Sequence, residues 1–85
     1  MIITVYTDAG HGWAKVKKQF LNKLGIQNLI TSYSYQRGDY AFLEEDIDLT
    51  TLCSALEANN IPFAFDEKRA HNRPSKIRSY ERYSK

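Results

Sequence analysis

The chain has a single cysteine, Cys53, among its 85 residues. One cysteine excludes an internal disulfide and any metal site built from several thiolates. No apolar run approaches the roughly 20 residues that span a bilayer. The first residues, Met1 to Tyr6, show neither a basic start nor a small-residue cleavage site. These absences predict a protein without a secretory signal or a membrane contact, located in the cytoplasm.

An excess of charge of one sign is also lacking over the whole chain, since the net charge is only +2. The two parts of the chain nevertheless differ. Residues 1–66 carry five Lys and Arg against eight Asp and Glu, whereas residues 67–85 carry seven against two. We therefore expect one small domain over 1–66 and a basic C-terminal tail over 67–85. The tail suits phosphates or an acidic protein surface, and it also fits a solvated, frayed chain end.

The hydrophobic pattern predicts an α+β fold. The expected elements are a strand over 2–6, a helix over 13–24, strands over 30–36 and 40–44, a helix over 49–58 and a strand over 61–65. We expect Gly25 to end the first helix in the left-handed conformation, and Asp46 or Asp48 to cap the second. The order β-α-β-β-α-β is that of the ferredoxin-like fold, in which both helices cover one face of an antiparallel sheet and leave the other face open.

The segment Thr7-Asp8-Ala9-Gly10-His11-Gly12-Trp13 is the most unusual part of the sequence. Its two glycines allow backbone N–H groups to turn toward an anion. His11 titrates near neutral pH, and Trp13 can stack on a base or fill a pocket in a partner. The segment also fits a capped turn in which Asp8 accepts backbone hydrogen bonds and Trp13 is core.

A second motif is Arg37-Gly38-Asp39-Tyr40-Ala41-Phe42. It resembles the ribonucleoprotein signature of RNA recognition motifs, in which a basic residue and a glycine precede alternating aromatics that stack on bases. The resemblance implies single-stranded RNA binding on Tyr40 and Phe42. Asp39 is an insertion relative to that pattern. The same aromatics are core residues if they point toward the helices, and the orientation of Tyr33 and Tyr35 on the neighbouring strand stays open in the same way.

A third pattern concerns carboxylates. Val5-Tyr6-Thr7-Asp8 resembles the first catalytic strand of ribonuclease H-type enzymes, where the aspartate holds magnesium. The resemblance implies a metal-dependent nuclease in which Glu44, Glu45 or Asp48 joins Asp8 in a two-metal cluster. Ala9 replaces the glycine of that motif, and a second aspartate motif does not follow.

The tail interleaves basic and aromatic residues. Arg73, Arg78 and Arg82 provide forks that suit phosphates, and Tyr80 can stack on a base. Ile77 and Tyr80 also have the spacing of one helical turn that packs back on the domain.

Several segments together, DAGHGW, SYQRG, LEED and IRSY, resemble a group of small proteins of bacteriophages and mobile elements. The resemblance implies an accessory protein in the cytoplasm of a bacterial host, with a host protein or nucleic acid as partner. No convincing catalytic set is present, so we expect a non-catalytic binding protein without cofactor or metal, for which a homodimer is open. The predicted binding residues are His11, Trp13, Arg37, Tyr40, Phe42, Arg73, Arg78, Tyr80 and Arg82.

Overall fold

The computed structural model describes residues 1–69 and 75–84. The elements in chain order are β1 (Ile2–Thr7), β2 (Gly12–Lys17), α1 (Lys18–Leu24), β3 (Tyr35–Arg37), β4 (Tyr40–Glu44), α2 (Asp48–Ala58), β5 (Ala64–Arg69), a 3₁₀ helix (Lys76–Ser79) and β6 (Glu81–Arg82). The fold is therefore α+β, as the hydrophobic pattern predicts. None of the helices in these residues is both long enough and apolar enough to cross a membrane.

The strands form one mixed sheet in the order β5-β1-β2-β4-β3-β6. β1 runs parallel to β5 and antiparallel to β2, and the remaining neighbours are antiparallel. The expected ferredoxin-like order is not confirmed, because this sheet has six strands and one parallel pair. β2 is the additional strand that changes the order, since it lies between β1 and β4.

The prediction of a helix over 13–24 is wrong for its first half. Residues 12–17 form β2, and the helix occupies only Lys18–Leu24. Trp13 and Val16 fit a helical spacing, but the alternation of Trp13, Ala14, Lys15 and Val16 fits a strand equally well. Pairing with both β1 and β4 decides the outcome, since a central strand gains two ladders of hydrogen bonds. The C-terminal prediction is confirmed: Gly25 has φ of 74° and its N–H bonds to the carbonyl of Asn22.

The expected strand over 30–36 begins only at Tyr35. Residues 31–34 are not in a strand, because the Thr31 N–H and the Ser34 hydroxyl donate to the carboxylate of Asp48 at the start of α2. The hairpin of β3 and β4 is confirmed, with Gly38 at φ of 58° in its turn. The last predicted strand is displaced along the chain, since β5 starts two residues after Pro62 and continues to Arg69.

One side of the sheet, here called the helix face, packs against both helices. The core on this side includes Ile3, Ala14 and Leu43 from the sheet, with Leu21 of α1 and Leu52 of α2, all at most 1% exposed. Both helices therefore cover the same face, as the sequence predicts.

The opposite side, here called the aromatic face, carries the rings of Tyr6, Trp13, Tyr35, Tyr40 and Phe42. It is not open, as the ferredoxin-like expectation had it, because the chain after residue 74 folds back over it. Ile77 of the 3₁₀ helix is 3% exposed and packs with Trp13 and Phe42. The physical reason is the apolar area of these rings, which water would otherwise contact.

The end of the described chain is fastened on the helix face. The Tyr83 N–H donates to the carbonyl of Ser34 at 2.9 Å, and the Tyr83 hydroxyl donates to the carbonyl of Gln27 at 2.8 Å. Tyr83 is 6% exposed, and burial raises the pKa of its hydroxyl, with the charge of Asp48 acting in the same direction. Residues 75–84 are therefore part of the fold, and β5 runs across the expected boundary between residues 66 and 67.

Candidate functional site: a cleft on the aromatic face

Asp8 organises the loop between β1 and β2. Its Oδ1 atom accepts the N–H groups of Gly10 at 2.9 Å and His11 at 3.0 Å. The Asp8 N–H in turn donates to the carbonyl of His11 at 2.9 Å. Asp8 thus accepts backbone hydrogen bonds, as expected for a capped turn. The turn, however, joins two strands and does not begin a helix.

The same carboxylate holds the C-terminal segment. Arg78 donates from Nε to Oδ2 at 2.7 Å and from Nη2 to Oδ1 at 2.9 Å, and the Ser75 N–H donates to Oδ2 at 2.9 Å. The Asp8 side chain is only 2% exposed. These bonds, that of Arg78 first, hold the pKa of the Asp8 carboxyl far below its usual range, and the same contact raises the pKa of the Arg78 guanidinium. A Cβ atom on Gly10 would lie 3.0 Å from Nη2 of Arg78, so a larger residue there would have to displace the guanidinium.

Trp13 lies beneath this ion pair. The guanidinium of Arg78 stands 5.2 Å from the centre of the Trp13 ring. The His11 ring lies 6.1 Å from Trp13 on one side, and the Tyr35 ring meets it edge-on at 6.2 Å on the other. Trp13 is 3% exposed, so it supports the site from below and leaves the exposed contacts to its neighbours.

Phe42 is also enclosed. The Tyr80 ring lies 5.1 Å from it and the Tyr6 ring 6.5 Å from it. Phe42 points away from the helices, yet it is only 6% exposed because the C-terminal segment lies on it. A base can stack on Phe42 only after Tyr80 has moved away.

Cations lie over the other rings of the aromatic face. Lys15 Nζ is 4.2 Å from the centre of the Tyr40 ring. The guanidinium of Arg37 is 5.1 Å from the Tyr80 ring, and that of Arg82 is 4.8 Å from the Tyr35 ring. Each such contact contributes only a modest free energy in water. Together the three contacts place cations and rings side by side along the sheet.

A cleft of about 450 Å³ opens at one end of this row. His11 and Trp13 come from the β1–β2 hairpin, and Arg78 and Arg82 from the C-terminal segment. The complete lining is His11, Trp13, Tyr33, Tyr35, Glu44, Asp46, Ile47, Arg78 and Arg82. Tyr33 is 63% exposed and stands at the surface of the cleft. Its volume falls within the range of small-ligand clefts, and its lining mixes rings with charged groups.

The carboxylates near the cleft are mostly engaged in structure. Glu44 accepts the N–H groups of Asp46 at 2.9 Å and Asp48 at 2.6 Å, and it also accepts that of Ile47. Glu44 therefore satisfies the start of α2, in place of Asp46 or Asp48 as the sequence suggested. It can do so because the last residue of β4 points its side chain along the turn that leads into the helix.

Asp48 is turned inward and is fully buried. Its carboxylate accepts the N–H of Thr31 at 3.1 Å, the hydroxyl of Thr31 at 2.8 Å and the hydroxyl of Ser34. It ties the turn before β3 to α2. Within residues 1–69 and 75–84, no three His, Cys, Asp or Glu side chains are grouped as a metal site, and Asp8 is already paired with Arg78.

The structure brings four of the predicted site residues together in the cleft: His11, Trp13, Arg78 and Arg82. Four more, Arg37, Tyr40, Phe42 and Tyr80, lie farther along the same face. Arg73 lies outside the described residues. The link from Asp8 to Arg78 escaped sequence reasoning, since 70 positions separate the two residues and no local pattern joins them.

Comparison with protein-family models, with curated proteins and with solved structures returned no match for this chain.

Proposed function

We propose that this is a non-catalytic binding protein that holds single-stranded nucleic acid along its aromatic face, with the cleft as the place where a base is received. The observation that carries the proposal is the row of cations over rings, formed by Lys15 with Tyr40, Arg37 with Tyr80 and Arg82 with Tyr35. Positive groups that follow a phosphate backbone, combined with rings that stack on bases, are the usual means of binding single strands.

The charge of the aromatic face supports an anionic partner. Strand register places several cations beside its rings: Lys15 opposite Phe42, Lys17 opposite Tyr40 and Lys68 opposite Tyr6. On the strands of this side the cations are Lys15, Lys17, Arg37, Lys68 and Arg82, and the acids are Glu44 and Asp66; Asp46 adds one acid at the cleft. Arg78 is left out of this balance, because Asp8 already compensates its charge.

Tyr33 is the ring best placed to stack on a base. It is 63% exposed, whereas Trp13 and Phe42 are almost fully buried. His11 and Tyr35 line the same cleft and provide further ring surface. Stacking of one base on one aromatic side chain contributes about 1–3 kcal/mol, so the removal of the Tyr33 ring is expected to weaken binding about tenfold.

The biological setting is part of the proposal. The resemblance to small bacteriophage and mobile-element proteins supports an accessory role in a bacterial cytoplasm. In that setting a host protein is the other class of partner, and the basic face fits acidic protein surfaces for the same electrostatic reason. We favour nucleic acid because rings accompany the cations.

The test is a titration of labelled single-stranded RNA and DNA of about 15 nucleotides, followed by fluorescence anisotropy at about 50 and 200 mM salt. We expect binding that weakens at the higher salt, and a smaller salt dependence for Arg82→Ala and Arg37→Ala, by about one released counterion each. Tyr33→Ala is expected to weaken binding without changing that dependence. Lys23→Ala is the matched control, since Lys23 is an exposed cation in the last turn of α1.

The proposal is refuted if the folded protein binds neither strand at the lower salt. It is also refuted if Lys23→Ala weakens binding as much as Arg82→Ala, because the effect would then follow from net charge and not from the aromatic face. An NMR titration with an acidic protein, followed through the backbone amide shifts, would then test the other class of partner.

A second mode of the same function follows the resemblance to RNA recognition motifs, with bases stacked directly on Tyr40 and Phe42. Tyr80 covers Phe42 at 5.1 Å, so this mode requires the C-terminal segment to move. Tyr80→Ala separates the two modes. It should strengthen binding if Phe42 is the platform, and should leave binding at the cleft unchanged or weaker.

A further inference from the structure

We propose that the free edge of β5 pairs antiparallel with the same edge of a second copy of the chain, which gives a two-fold dimer with one continuous sheet. β5 is at the end of the strand order, and within the described residues it is paired only with β1. All six of its residues are exposed. The unpaired N–H and C=O groups of such an edge are a template for another strand.

The sequence of this edge is complementary to itself. It reads Ala64-Phe65-Asp66-Glu67-Lys68-Arg69, with acids followed by bases. Two strands related by a two-fold axis perpendicular to the sheet place opposite residues on the same face. Each residue therefore faces one that is an even number of positions away. This condition leaves few registers to compare.

The register centred on Glu67 is the favourable one. It places Asp66 opposite Lys68 of the second copy, and this pair occurs twice because of the symmetry. In the single chain, Lys68 Nζ lies 3.5 Å from Asp66, and both side chains are more than half exposed. Both are therefore free to exchange this loose contact for one across the strands.

The same register also covers an exposed ring. Phe65 is 51% exposed and stands opposite Arg69 of the second copy, whose stem and guanidinium can lie on it. Glu67 faces its own copy at the axis, and the two Arg69 side chains are its diagonal neighbours. The Thr7 hydroxyl already donates to Glu67 at 3.2 Å, which holds the carboxylate on its own chain.

The neighbouring registers are worse. Centring on Asp66 sets Asp66 against itself and Phe65 against Glu67. Centring on Lys68 sets Lys68 against itself and pairs Glu67 with Arg69 twice, but it leaves Phe65 without a cross-strand neighbour among the described residues. The charges thus exclude the alignment centred on Asp66, and the contact of Arg69 with the exposed Phe65 ring favours the alignment centred on Glu67 over the one centred on Lys68.

The test is sedimentation equilibrium of the full chain from about 10 μM to about 1 mM, without nucleic acid. We expect a reversible dimer. Asp66→Lys and Lys68→Asp are each expected to raise its dissociation constant about tenfold or more, since two attractive cross-strand pairs become repulsive. An equal mixture of the two variants is expected to regain the dimer, because the edge with two lysines then faces the edge with two aspartates.

Glu67→Gln is expected to tighten the dimer several-fold, because it removes the like charges at the axis while Gln still accepts from Thr7. Lys23→Asp is the matched control for Lys68→Asp, since Lys23 is an exposed cation on α1. A chain that stays monomeric over the whole range overturns the inference. A dimer that ignores both charge reversals, or one that mixing does not restore, overturns it as well. Because nucleic acid is absent, this result is independent of the proposed function.

Discussion

The contact of Asp8 with the C-terminal segment gives the most direct test of the structure. In Asp8→Asn, one amide oxygen can still accept from Gly10 and His11. The Oδ2 position becomes an NH₂ group that faces two donors, the Ser75 N–H and Nε of Arg78. Hydrogen bonds to a charged group are worth about 1.5–3 kcal/mol each. We count the Ser75 bond fully, and the bond to the partly exposed Arg78 only slightly because water screens it.

The expected loss in the free energy of unfolding is therefore about 2–3 kcal/mol, which corresponds to a urea midpoint lower by about 1.5–3 M in a chain of this size. Trp13 is the chain's only tryptophan, and it is 3% exposed beneath Arg78. Its fluorescence reports whether the segment is in place, and far-UV circular dichroism reports the sheet. Asp39→Asn, an exposed carboxylate in the β3–β4 turn, is the control and should shift the midpoint little.

The pH dependence of the same variant checks the cause. The pKa of Asp8 is lower in the folded chain than its ordinary value of about 3.9. Its contribution is therefore complete above that value and is lost as the pH falls toward the folded pKa. The difference in stability between wild type and Asp8→Asn should be constant near neutral pH and shrink below about pH 4. Equal urea midpoints at pH 7, or a difference that grows on acidification, would refute the reasoning.

Two further outcomes follow from Asp48, which is fully buried, and from Cys53, which is half-buried. Asp48→Ala should destabilise the fold by about 2–4 kcal/mol, as measured by urea unfolding, because the donors of Thr31 and Ser34 lose their buried acceptor; an unchanged midpoint would contradict the buried role. Burial, together with the nearby charge of Glu57, raises the pKa of the Cys53 thiol. Cys53 should thus react with a thiol reagent much more slowly in the folded chain than in urea, and rapid reaction at pH 7 would contradict its placement.

Local pattern predicted the strands and helices that are half-buried along their whole length. The β-branched run after Met1 gave β1, the spacing of Leu49, Leu52 and Leu56 gave α2, and Gly25 marked the end of α1. In each case one face of the element meets the core, so its hydrophobic period is that of its backbone.

The pattern failed at β2, where the period was ambiguous. Trp13 and Val16 lie on opposite faces of a strand but on one face of a helix, so the same residues satisfy both interpretations. The strand forms because β1 and β4 lie on either side of it. That information is in the tertiary arrangement and not in residues 12–17. Because β2 was expected to be helical, the predicted sheet order lacks the strand between β1 and β4.

The sequence was sufficient to predict which residue types form the candidate site, but not how those residues pack against one another. The glycine-rich segment pointed to His11 and Trp13 and the basic tail to Arg78 and Arg82, and these four residues do line one cleft. The sequence could not tell that Phe42 is covered, because its cover comes from Tyr80, 38 positions later.

The C-terminal segment joins fold and proposed function in one piece of chain. Ile77 and Tyr80 cover the rings of the aromatic face, while Arg78 and Arg82, between and after them, turn to the cleft. The apolar contacts fix the segment on the sheet, and the bond to Asp8 fixes its register there, so that the cationic side chains are ordered before any ligand arrives. A preorganised site of this kind loses little conformational entropy on binding. Release of the segment by Asp8→Asn should thus reduce both stability and ligand binding, since the same contacts support both.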